Sequence, residues 1–470
     1  MQVEVLETPE LGDRSYVIAD HLEAAVIDPQ RDLDRIIGLL DRRGWRVKVV
    51  LETHLHNDYV TGGLELSRRT GATYVVAGGE DASFDCCPAR ELDTWRVGRS
   101  RIRVVPTPGH TPGHCAYLLQ GPGSEDRAVF SGGSMLFGTV GRTDLVAPDR
   151  TEELSRHQHR SVRRLAFELP ESVEVHPTHG FGSFCASSPG SGGQRSWIGE
   201  ERRTNLACRI DDEDEFVRTL RSGLGAYPSY YSHMGLLNRA GPAALDLTPP
   251  PRVTPQDIPS RIGAGEWVVD LRPRRQYAHS HLPGTVGVEH DPGYFTTYVG
   301  WVVPWGTPIT LAASSETELA GAQRDLARIG IDRPAAAVLL PEDLGDAGRG
   351  YPLARWEDLA AELNSPRPPT ILDVRSEEEW RAGHLPGATW VPLGELGPRL
   401  GSLPRVTTWV HCQAGYRASV AASLLDRAGI PPVLVDDDFG RAAAAGLPVV
   451  VEDARSGTGT GGPTPGNAAP

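Results

Sequence analysis

Cysteine is scarce in this chain, with six among 470 residues. So few thiols in a chain of this length do not form a disulfide framework, and we expect the cysteines to be reduced. No apolar run approaches the length of a membrane span. The first residues, Met1 to Glu7, also lack the charged-then-apolar pattern of a secretion signal. The sequence therefore predicts a cytoplasmic protein without a membrane segment.

Positive charge is also in deficit, since the formal net charge is -14. A chain this acidic is not expected to bind nucleic acid or an anionic membrane surface. Hydrophobic residues make up 39% of the chain, and glycine and proline are spread along it, as is usual for α/β proteins. Its 470 residues suffice for three domains with separate cores.

The segment THLHNDY at residues 53–59 carries two histidines and an aspartate. The apolar run before it, at residues 47–51, predicts a buried strand. Because residues i and i+2 of an extended chain point the same way, His54 and His56 can converge on one ion where that strand ends. The segment therefore predicts metal chemistry.

Other histidines and glycines follow further predicted strands. His110 lies in the motif PGHTPGH, His179 follows an apolar run, and the segment SGGSMLFGTVGRTD follows another. Four strand-end loops of this kind indicate a metal site rather than scattered surface histidines. His114 and His176 are expected to be bystanders.

These segments resemble the metallo-β-lactamase fold, in the branch of glyoxalase II and the persulfide dioxygenases. The resemblance covers a predicted domain at residues 1–245 and implies an αββα sandwich. The segment YYSHMGLLNR at residues 230–239 resembles persulfide dioxygenases that are fused to rhodanese domains. In such dioxygenases one Fe(II) is held by two histidines and an aspartate, at positions that correspond here to His54, His110 and Gly133.

Two positions depart from the family pattern. Gly133 has no side chain to offer a metal, so the set of two histidines and one carboxylate lacks its carboxylate. Tyr59 stands where a histidine would serve a second metal, so a binuclear hydrolase centre is not expected.

The remaining predicted metal ligands are His54, His56 and His110, with Asp58 and His179 nearby. Three imidazoles can hold Zn(II) with an open position, or Fe(II) with positions left for a thiol and dioxygen. One Fe(II) is the expected cofactor of a functional site, and Zn(II) is the alternative. A vestigial site, in a metal domain that serves only as a scaffold, is a further alternative.

The second half of the chain contains an internal repeat. The motif DLR begins at Asp270 and DVR begins at Asp373, and each is followed at the same spacing by HLPG. Equal spacing predicts two copies of one module, at residues 255–345 and 352–452. Both signatures resemble rhodanese domains, which implies two α/β modules in which the aspartate and arginine brace the sheet. The Gly/Pro/Thr-rich tail at residues 456–470 is predicted to be disordered.

In the second copy, a predicted strand ends at Cys412 and a helix follows. A cysteine that heads such a loop faces backbone N–H groups and the positive end of the helix dipole, which favour the thiolate. Arg417 closes the loop and can add charge-assisted contacts to thiosulfate or a persulfide. Cys412 and Arg417 are therefore predicted to be catalytic. The residues between them are predicted to bind the substrate: Gln413, Ala414, Gly415 and Tyr416. The cysteine-x4-arginine loop resembles sulfurtransferases, because phosphatases of related fold use one residue more.

The first copy has no cysteine at the matching stretch, residues 307–316. A persulfide cannot form on alanine or serine, so this module is predicted to be inert. Its aromatic insert at residues 294–305 is predicted either to dock on the metal domain or to pack within its own core.

Together the motifs resemble a persulfide dioxygenase–rhodanese fusion with a silent middle module. The resemblance implies sulfurtransfer through Cys412 and oxidation of a low-molecular-weight thiol persulfide to sulfite, with thiols, persulfides and thiosulfate as partners. The alternatives are a sulfurtransferase with a degenerate metal domain, a zinc-dependent thioester hydrolase and a sulfur sensor. The sequence is compatible with assembly into a homo-oligomer.

Overall fold

The structure is a computed structural model that describes residues 1–188, 190–290 and 293–451. The tail predicted to be disordered, residues 456–470, lies outside the described residues. The chain divides into two compact units, Met1–Gly350 and Tyr351–Pro470. Within the described ranges, no helix is both long and apolar enough to cross a membrane.

Two six-stranded sheets form the centre of the first domain. The first sheet contains β1 (Gln2–Thr8), β2 (Asp13–Asp20), β3 (Glu23–Ile27), β4 (Arg46–Leu51), β5 (Thr73–Ala77) and β6 (Cys87–Ala89), paired in that order. The second contains β7 (Thr94–Val97), β8 (Ser100–Pro106), β9 (Cys115–Gln120), β10 (Asp126–Gly132), β11 (Glu174–Pro177) and β12 (Ser196–Trp197), also paired in sequence order.

The two sheets pack face to face, and helices cover their outer faces. Tyr16 of the first sheet and Tyr117 of the second are both fully buried in the shared core. The helices of this domain are α1 (Asp34–Arg43), α2 (Gly63–Thr70), α3 (Thr151–Glu168), α4 (Ile198–Thr204), α5 (Leu206–Arg209), α6 (Glu213–Ser222) and α7 (Tyr231–Ala240). Ile36 of α1 packs on the first sheet and Leu165 of α3 on the second. This layering confirms the predicted αββα sandwich.

The middle module belongs to the same compact unit as the metal domain. It contains α8 (Ile258–Gly263), β13 (Trp267–Asp270), α9 (Arg274–His279), β14 (Val286–Gly287), α10 (Phe295–Val302), β15 (Ile309–Ala313), α11 (Glu316–Arg328) and β16 (Ala336–Leu339). Its parallel sheet has the order β14-β13-β15-β16.

The aromatic insert of the middle module forms α10 and contacts the metal domain. The rings of Trp301 and Phe184 meet edge to face, with centroids 5.3 Å apart. The Ser229 hydroxyl donates to the carbonyl oxygen of Gly300 at 2.7 Å. Residues of the insert therefore dock on the metal domain.

The C-terminal unit is a second parallel α/β module, with the sheet order β17-β21-β20-β18-β19. It contains β17 (Leu353–Ala354), α12 (Trp356–Leu363), β18 (Thr370–Asp373), α13 (Glu377–Ala382), β19 (Thr389–Trp390), α14 (Leu393–Arg399), β20 (Thr408–His411), α15 (Tyr416–Arg427) and β21 (Pro432–Val435). Short 3-10 helices occur at Pro148–Arg150, Pro255–Asp257, Gly345–Ala347, Leu400–Ser402 and Phe439–Arg441.

The repeated Asp-x-Arg motif makes the same contacts in both modules. Arg375 donates to Asp373 at 2.6 Å and to the carbonyl of Gly383, which precedes HLPG. Arg272 likewise donates to Asp270 at 2.7 Å and to the carbonyl that precedes its own HLPG turn. These buried pairs brace the strand end against the turn.

Candidate functional site

Three histidines from separate strand-end loops converge in the metal domain. The ligand atoms of His54, His110 and His179 all lie within 4.8 Å of one another, and each side chain is at most 1% exposed. His54 follows β4, His110 follows β8 and His179 follows β11. The Nε2 atoms of His54 and His179 are 3.3 Å apart. That separation suits two nitrogens that each lie about 2.0–2.1 Å from one tetrahedral ion.

The second ring nitrogen of each histidine has its own partner. His110 Nδ1 donates to the carbonyl of Arg142 at 2.7 Å, and His179 Nδ1 lies 2.8 Å from the carboxylate of Asp13. His54 Nδ1 lies 2.9 Å from the hydroxyl of Thr53, whose own proton goes to a nearby carboxylate. In His54 and His110 these bonds place the proton on Nδ1 and leave the Nε2 lone pair toward the cluster, and in His179 the Asp13 carboxylate keeps Nδ1 protonated.

His110 Nε2 is buried and has no hydrogen-bond partner among the described residues. Burial lowers the pKa of His110 to about 3, so its ring is neutral. Burial also lowers the pKa of His54, and the neighbouring imidazoles add to that effect. Neutral imidazoles with an outer hydrogen bond and a free inner nitrogen are the usual state of metal-binding histidines. The residues present therefore fit one divalent ion.

His56 lies beside this trio and not within it. Its Nε2 is 3.2 Å from Asp28 and 3.3 Å from Glu52, while its Nδ1 is buried without a hydrogen-bond partner. Burial alone would lower the pKa of His56, but the two carboxylates outweigh it and raise the pKa to about 9. His56 belongs to two other groups whose ligand atoms lie within 4.8 Å of one another, one with Asp58 and His179 and one with Asp28 and Glu52.

Asp58 connects the HLHND loop to the last histidine of the cluster. Its carboxylate lies 3.0 Å from His179 Nδ1, and both side chains are fully buried. Burial alone would raise the pKa of Asp58, but His179 outweighs it and lowers that pKa. Asp58 and Asp13 together hold the pKa of His179 above its usual range despite burial. Asp58 therefore orients His179, and one of its oxygens, Oδ1, has no hydrogen-bond partner among the described residues.

Two buried amides hold the motif loops in place, and the sequence patterns assigned neither a role. Gln158 of α3 accepts from the His110 backbone N–H at 3.0 Å and donates to the carbonyl of Ser134 at 2.9 Å. Asn238 of α7 donates to the carbonyls of His56 and Tyr59, both at 2.8 Å. The only sequence signal was that Asn238 lies in the segment that resembles dioxygenase fusions.

Cys412 lies in the C-terminal unit, directly after β20, and is 2% exposed. Gln413 and Ala414 follow it. Gly415 adopts a left-handed conformation, with φ 86, as the N-cap of α15. Tyr416 is the first residue of α15, which runs for 12 residues. The thiol therefore heads a tight loop that leads into a helix N-terminus, where backbone N–H groups lack partners within the helix.

Arg417 pairs with a carboxylate outside the loop. Its two terminal nitrogens donate to the two oxygens of Glu379, each at 2.6 Å. Burial would raise the pKa of Glu379, but Arg417 outweighs it and lowers the pKa to about 2. The pair joins α13 to the first turn of α15.

Comparisons with known proteins agree with both halves of this description. Residues 10–85 match the family described as the metallo-beta-lactamase superfamily. The hydroxyacylglutathione hydrolase of Parasynechococcus marenigrum is 31% identical over 229 residues, which cover 42% of this chain and 88% of that protein. The chain belongs to the metallo-β-lactamase superfamily. Residues 356–438, which include Cys412 and Arg417, match the rhodanese-like domain family.

Two further relatives of this superfamily member extend the likeness. The mitochondrial persulfide dioxygenase ETHE1 of Homo sapiens is 28% identical over 242 residues, covering 51% of this chain and 80% of that protein. A solved metallo-beta-lactamase structure from Staphylococcus aureus is 26% identical, with a TM-score of 0.63. It covers 72% of this chain and 99% of its own. The covered share of this chain is larger than the metal domain alone, so the likeness extends beyond that domain.

The structure gives a steric reason for the missing carboxylate at position 133. A Cβ atom on Gly133 would lie 2.2 Å from Cδ2 of His110, so the imidazole occupies the space that a side chain would need. The Gly133 backbone N–H donates to His114 Nε2 at 3.0 Å. In this superfamily member, His110 and His114 therefore pack directly on the glycine.

Tyr59 is a packing residue in the structure. Its ring stacks on His56, with centroids 4.3 Å apart, and its hydroxyl donates to the carbonyl of Asp28 at 3.3 Å. The phenol is fully buried, and burial raises its pKa well above the usual range. A neutral phenol in this position packs on His56 and donates to a backbone carbonyl.

The strand end of the middle module carries no thiol. β15 ends at Ala313, and Ser315 is the N-cap of α11 through its hydroxyl. The Ser314 backbone N–H donates to the Glu318 carboxylate at 2.8 Å. At this strand end, the Glu318 carboxylate therefore accepts a hydrogen bond from a backbone N–H group. The C-terminal module has its cysteine loop at the matching position.

Proposed function

We propose that the chain is a sulfur-metabolism enzyme that combines sulfurtransfer at Cys412 with metal-dependent oxidation of a low-molecular-weight thiol persulfide. For the first activity, the supporting observation is the cysteine-x4-arginine loop at the N-terminus of α15. For the second, it is the buried trio of His54, His110 and His179, in which Nε2 of His110 has no hydrogen-bond partner in the described part of the chain. Thiols, persulfides and thiosulfate are the proposed small-molecule partners. The proposal is compatible with a homo-oligomer.

In the sulfurtransfer step, the Cys412 thiolate attacks the outer sulfur of a persulfide, RSSH. A new S–S bond forms on Cys412, the S–S bond of the donor breaks, and RS⁻ leaves with the electron pair. No oxidant is needed, because sulfane sulfur is only transferred. The left-handed Gly415 turns the loop so that the first N–H groups of α15 can stabilise the anionic sulfur.

In the oxidation step, a persulfide, dioxygen and water yield a thiol, hydrogen sulfite and one proton. The sulfane sulfur loses four electrons and dioxygen gains them. His54, His110 and His179 would hold the proposed Fe(II), which supplies the one-electron chemistry that dioxygen requires. Asp58 and Asp13 hold the proton on His179 Nδ1 and so fix which nitrogen faces the ion.

A zinc-dependent thioester hydrolase is the second candidate for the metal domain. Three imidazoles without a carboxylate match the ligand set of catalytic zinc sites, and a hydroxyacylglutathione hydrolase is among the relatives at 31% identity. Against it, Tyr59 packs on His56 and adds no ligand for a second ion. The third candidate function is a sulfurtransferase whose metal domain is degenerate and serves only as a scaffold.

One set of measurements on purified full-length protein separates these functions. Iron near one per chain, with oxygen uptake on glutathione persulfide, supports the dioxygenase. Zinc with hydrolysis of a hydroxyacylglutathione thioester supports the hydrolase, and sulfurtransfer without bound metal supports the scaffold. Cys412→Ser should abolish sulfurtransfer and leave oxygen uptake intact. Full sulfurtransfer in that variant would refute the role of Cys412.

We also place the protein in a reducing compartment, the cytoplasm. All six cysteines are unpaired in the structure, and free thiols are the rule where glutathione and thioredoxin keep cysteine reduced. Fractionation of the native host with an antibody against the chain tests this placement. Recovery in an oxidising compartment would contradict it.

A further inference from the structure

The end of helix α11 in the silent module contacts the loop that carries Asp58. The backbone N–H of Val60 donates to the carbonyl oxygen of Arg328 at 2.7 Å. Val60 is two residues beyond Asp58, whose carboxylate lies 3.0 Å from His179 Nδ1. A carbonyl from another module therefore fixes the segment that orients one candidate metal ligand.

The side chain of Arg328 locks this helix end onto the metal domain. Its guanidinium lies 2.7 Å from Asp32 and 3.2 Å from Glu10, both of the metal domain, and 2.7 Å from Asp325 of its own helix. The Arg328 side chain is 7% exposed and that of Asp32 is 1% exposed. Removal of one partner from a buried pair leaves the other charge uncompensated, so this contact is costly to break.

The orientation of α11 also suits a cation in the metal domain. The last carbonyls of a helix have no partner inside the helix and carry the negative end of its dipole. Here two of them bond to the metal domain, since Arg328 accepts from Val60 and Ala327 accepts from Arg31 at 3.1 Å. The negative end of a 13-residue helix thus contacts Val60, two residues beyond the HLHND segment.

We propose that Arg328 is a positioning residue for the metal centre, and that the silent module is retained because it holds the Asp58 loop in a metal-binding conformation. The inference rests on the proposed metal centre at His54, His110 and His179. Arg328 touches neither metal nor substrate in this proposal. It acts through the Val60 backbone and Asp58 on His179.

The test is metal binding by full-length Arg328→Ala, Arg328→Lys and, as a control, Arg333→Ala. Arg333 lies in the same module and pairs with Asp246, but its side chain is 79% exposed. The Kd for Zn(II) is measured by competition with a chromophoric chelator, and the d–d spectrum is recorded with Co(II).

Arg328→Ala should raise the Kd about tenfold, as loss of an outer-sphere support does, and shift the Co(II) bands. Arg328→Lys should recover most of the affinity, and Arg333→Ala should match the wild type.

The outcomes separate this inference from the proposed function. A wild type that takes up neither ion refutes the metal centre and, with it, the positioning role. A wild type that binds tightly, with Kd and spectrum unchanged in Arg328→Ala, refutes the positioning role alone. If Arg328→Ala does not fold, the isosteric Asp32→Asn weakens the same ion pair, and its Kd is judged against the wild type by the same criterion.

Discussion

Each histidine of the candidate centre has two ring nitrogens, and the structure gives them different surroundings. In His110, Nδ1 is bonded to the Arg142 carbonyl and Nε2 has no partner among the described residues. A buried polar atom without a partner is costly unless a ligand satisfies it. At the scale of single residues, a bound ion would therefore offset the cost of burying His110 Nε2.

His110→Ala should lower the metal content of purified protein to less than about a tenth of the wild-type value, because the site loses one of its three imidazole donors. Metal content is measured by mass spectrometry after dialysis. The control is His176→Ala, since His176 is 16% exposed and pairs with Glu174. Equal metal loss in both variants would contradict a specific role for His110.

Gly133→Asp should not restore a carboxylate ligand. The new Cβ would lie 2.2 Å from the His110 ring, and overpacking of this kind costs about 1–3 kcal/mol. We expect a lower thermal midpoint and no gain in iron, measured by calorimetry and metal analysis. A gain in iron with unchanged midpoint would show that the His110 ring can move aside.

The Glu379–Arg417 pair should make stability depend on pH. Arg417 lowers the pKa of Glu379 to about 2 from a reference value of 4.5, so the stabilisation is complete above pH 4.5 and is lost as the pH falls through about 2. Glu379→Gln should lower the free energy of unfolding by about 2 kcal/mol at neutral pH. The difference from wild type should shrink below pH 4.5.

Urea unfolding followed at several pH values measures this effect. Glu377→Gln is the matched control, because Glu377 pairs with Arg381 on the same helix but both side chains are more than half exposed. A surface pair contributes little. A pH-independent difference between Glu379→Gln and the wild type would contradict the assignment.

The sequence predicted which candidate ligands lie close together better than it predicted their hydrogen-bond partners. His54, His56 and His110 were the predicted ligands; His54 and His110 fall in one group with His179, which was placed only nearby, and His56 falls in other groups. Glu379 could not be predicted as the partner of Arg417, because 38 residues separate them and no local pattern joins them. The carbonyls, amides and tautomers that decide a site depend on tertiary contacts.

At the scale of elements, strand ends were well specified by sequence. The predicted strand at residues 47–51 is observed as Arg46–Leu51, and the run at residues 101–105, which precedes the motif PGHTPGH, lies in the strand Ser100–Pro106. Both are apolar-rich runs that end at a polar motif, which is a strong local signal. The contribution of α7 was not predicted, since Asn238 acts on residues about 180 positions earlier.

Asn238→Ala should loosen the HLHND loop. The amide serves three backbone groups, the carbonyls of His56 and Tyr59 and the N–H of Thr61, and it is fully buried. Loss of these bonds should cost about 2–4 kcal/mol and weaken Zn(II) binding. Denaturation and metal titration measure both effects.

The control for that variant is Asn364→Ala. Asn364 also donates to a backbone carbonyl, but it does so on an exposed helix end of the C-terminal unit. It should change neither quantity. If Asn238→Ala behaves like Asn364→Ala, then α7 does not support the loop.

At the scale of the whole molecule, three modules were predicted from sequence, and the structure groups the first two into one compact unit. The difference has a physical cause, since buried ion pairs such as Arg328–Asp32 and docked aromatic rings such as Trp301–Phe184 join them. Such contacts lie between segments that are far apart in sequence, so motif spacing carries no sign of them.

Separate expression should follow these units rather than the modules. Residues 1–350 and residues 351–470 should each give a folded product, with metal binding in the first and sulfurtransfer in the second. Residues 1–250 should aggregate, because the faces covered by α10 and α11 become exposed. Circular dichroism and size-exclusion chromatography distinguish these results, and a stable, monomeric 1–250 fragment would contradict the shared interface.

The serine-capped strand end of the middle module has a consequence for how this chain can change over generations. If the module is inert, as its sequence predicts, substitutions around Ser314 and Ser315 should be tolerated. The opposite end of the same helix, at Arg328, is not free in this way. We therefore expect this module to diverge fastest at the loop that follows β15 and slowest where it meets the metal domain.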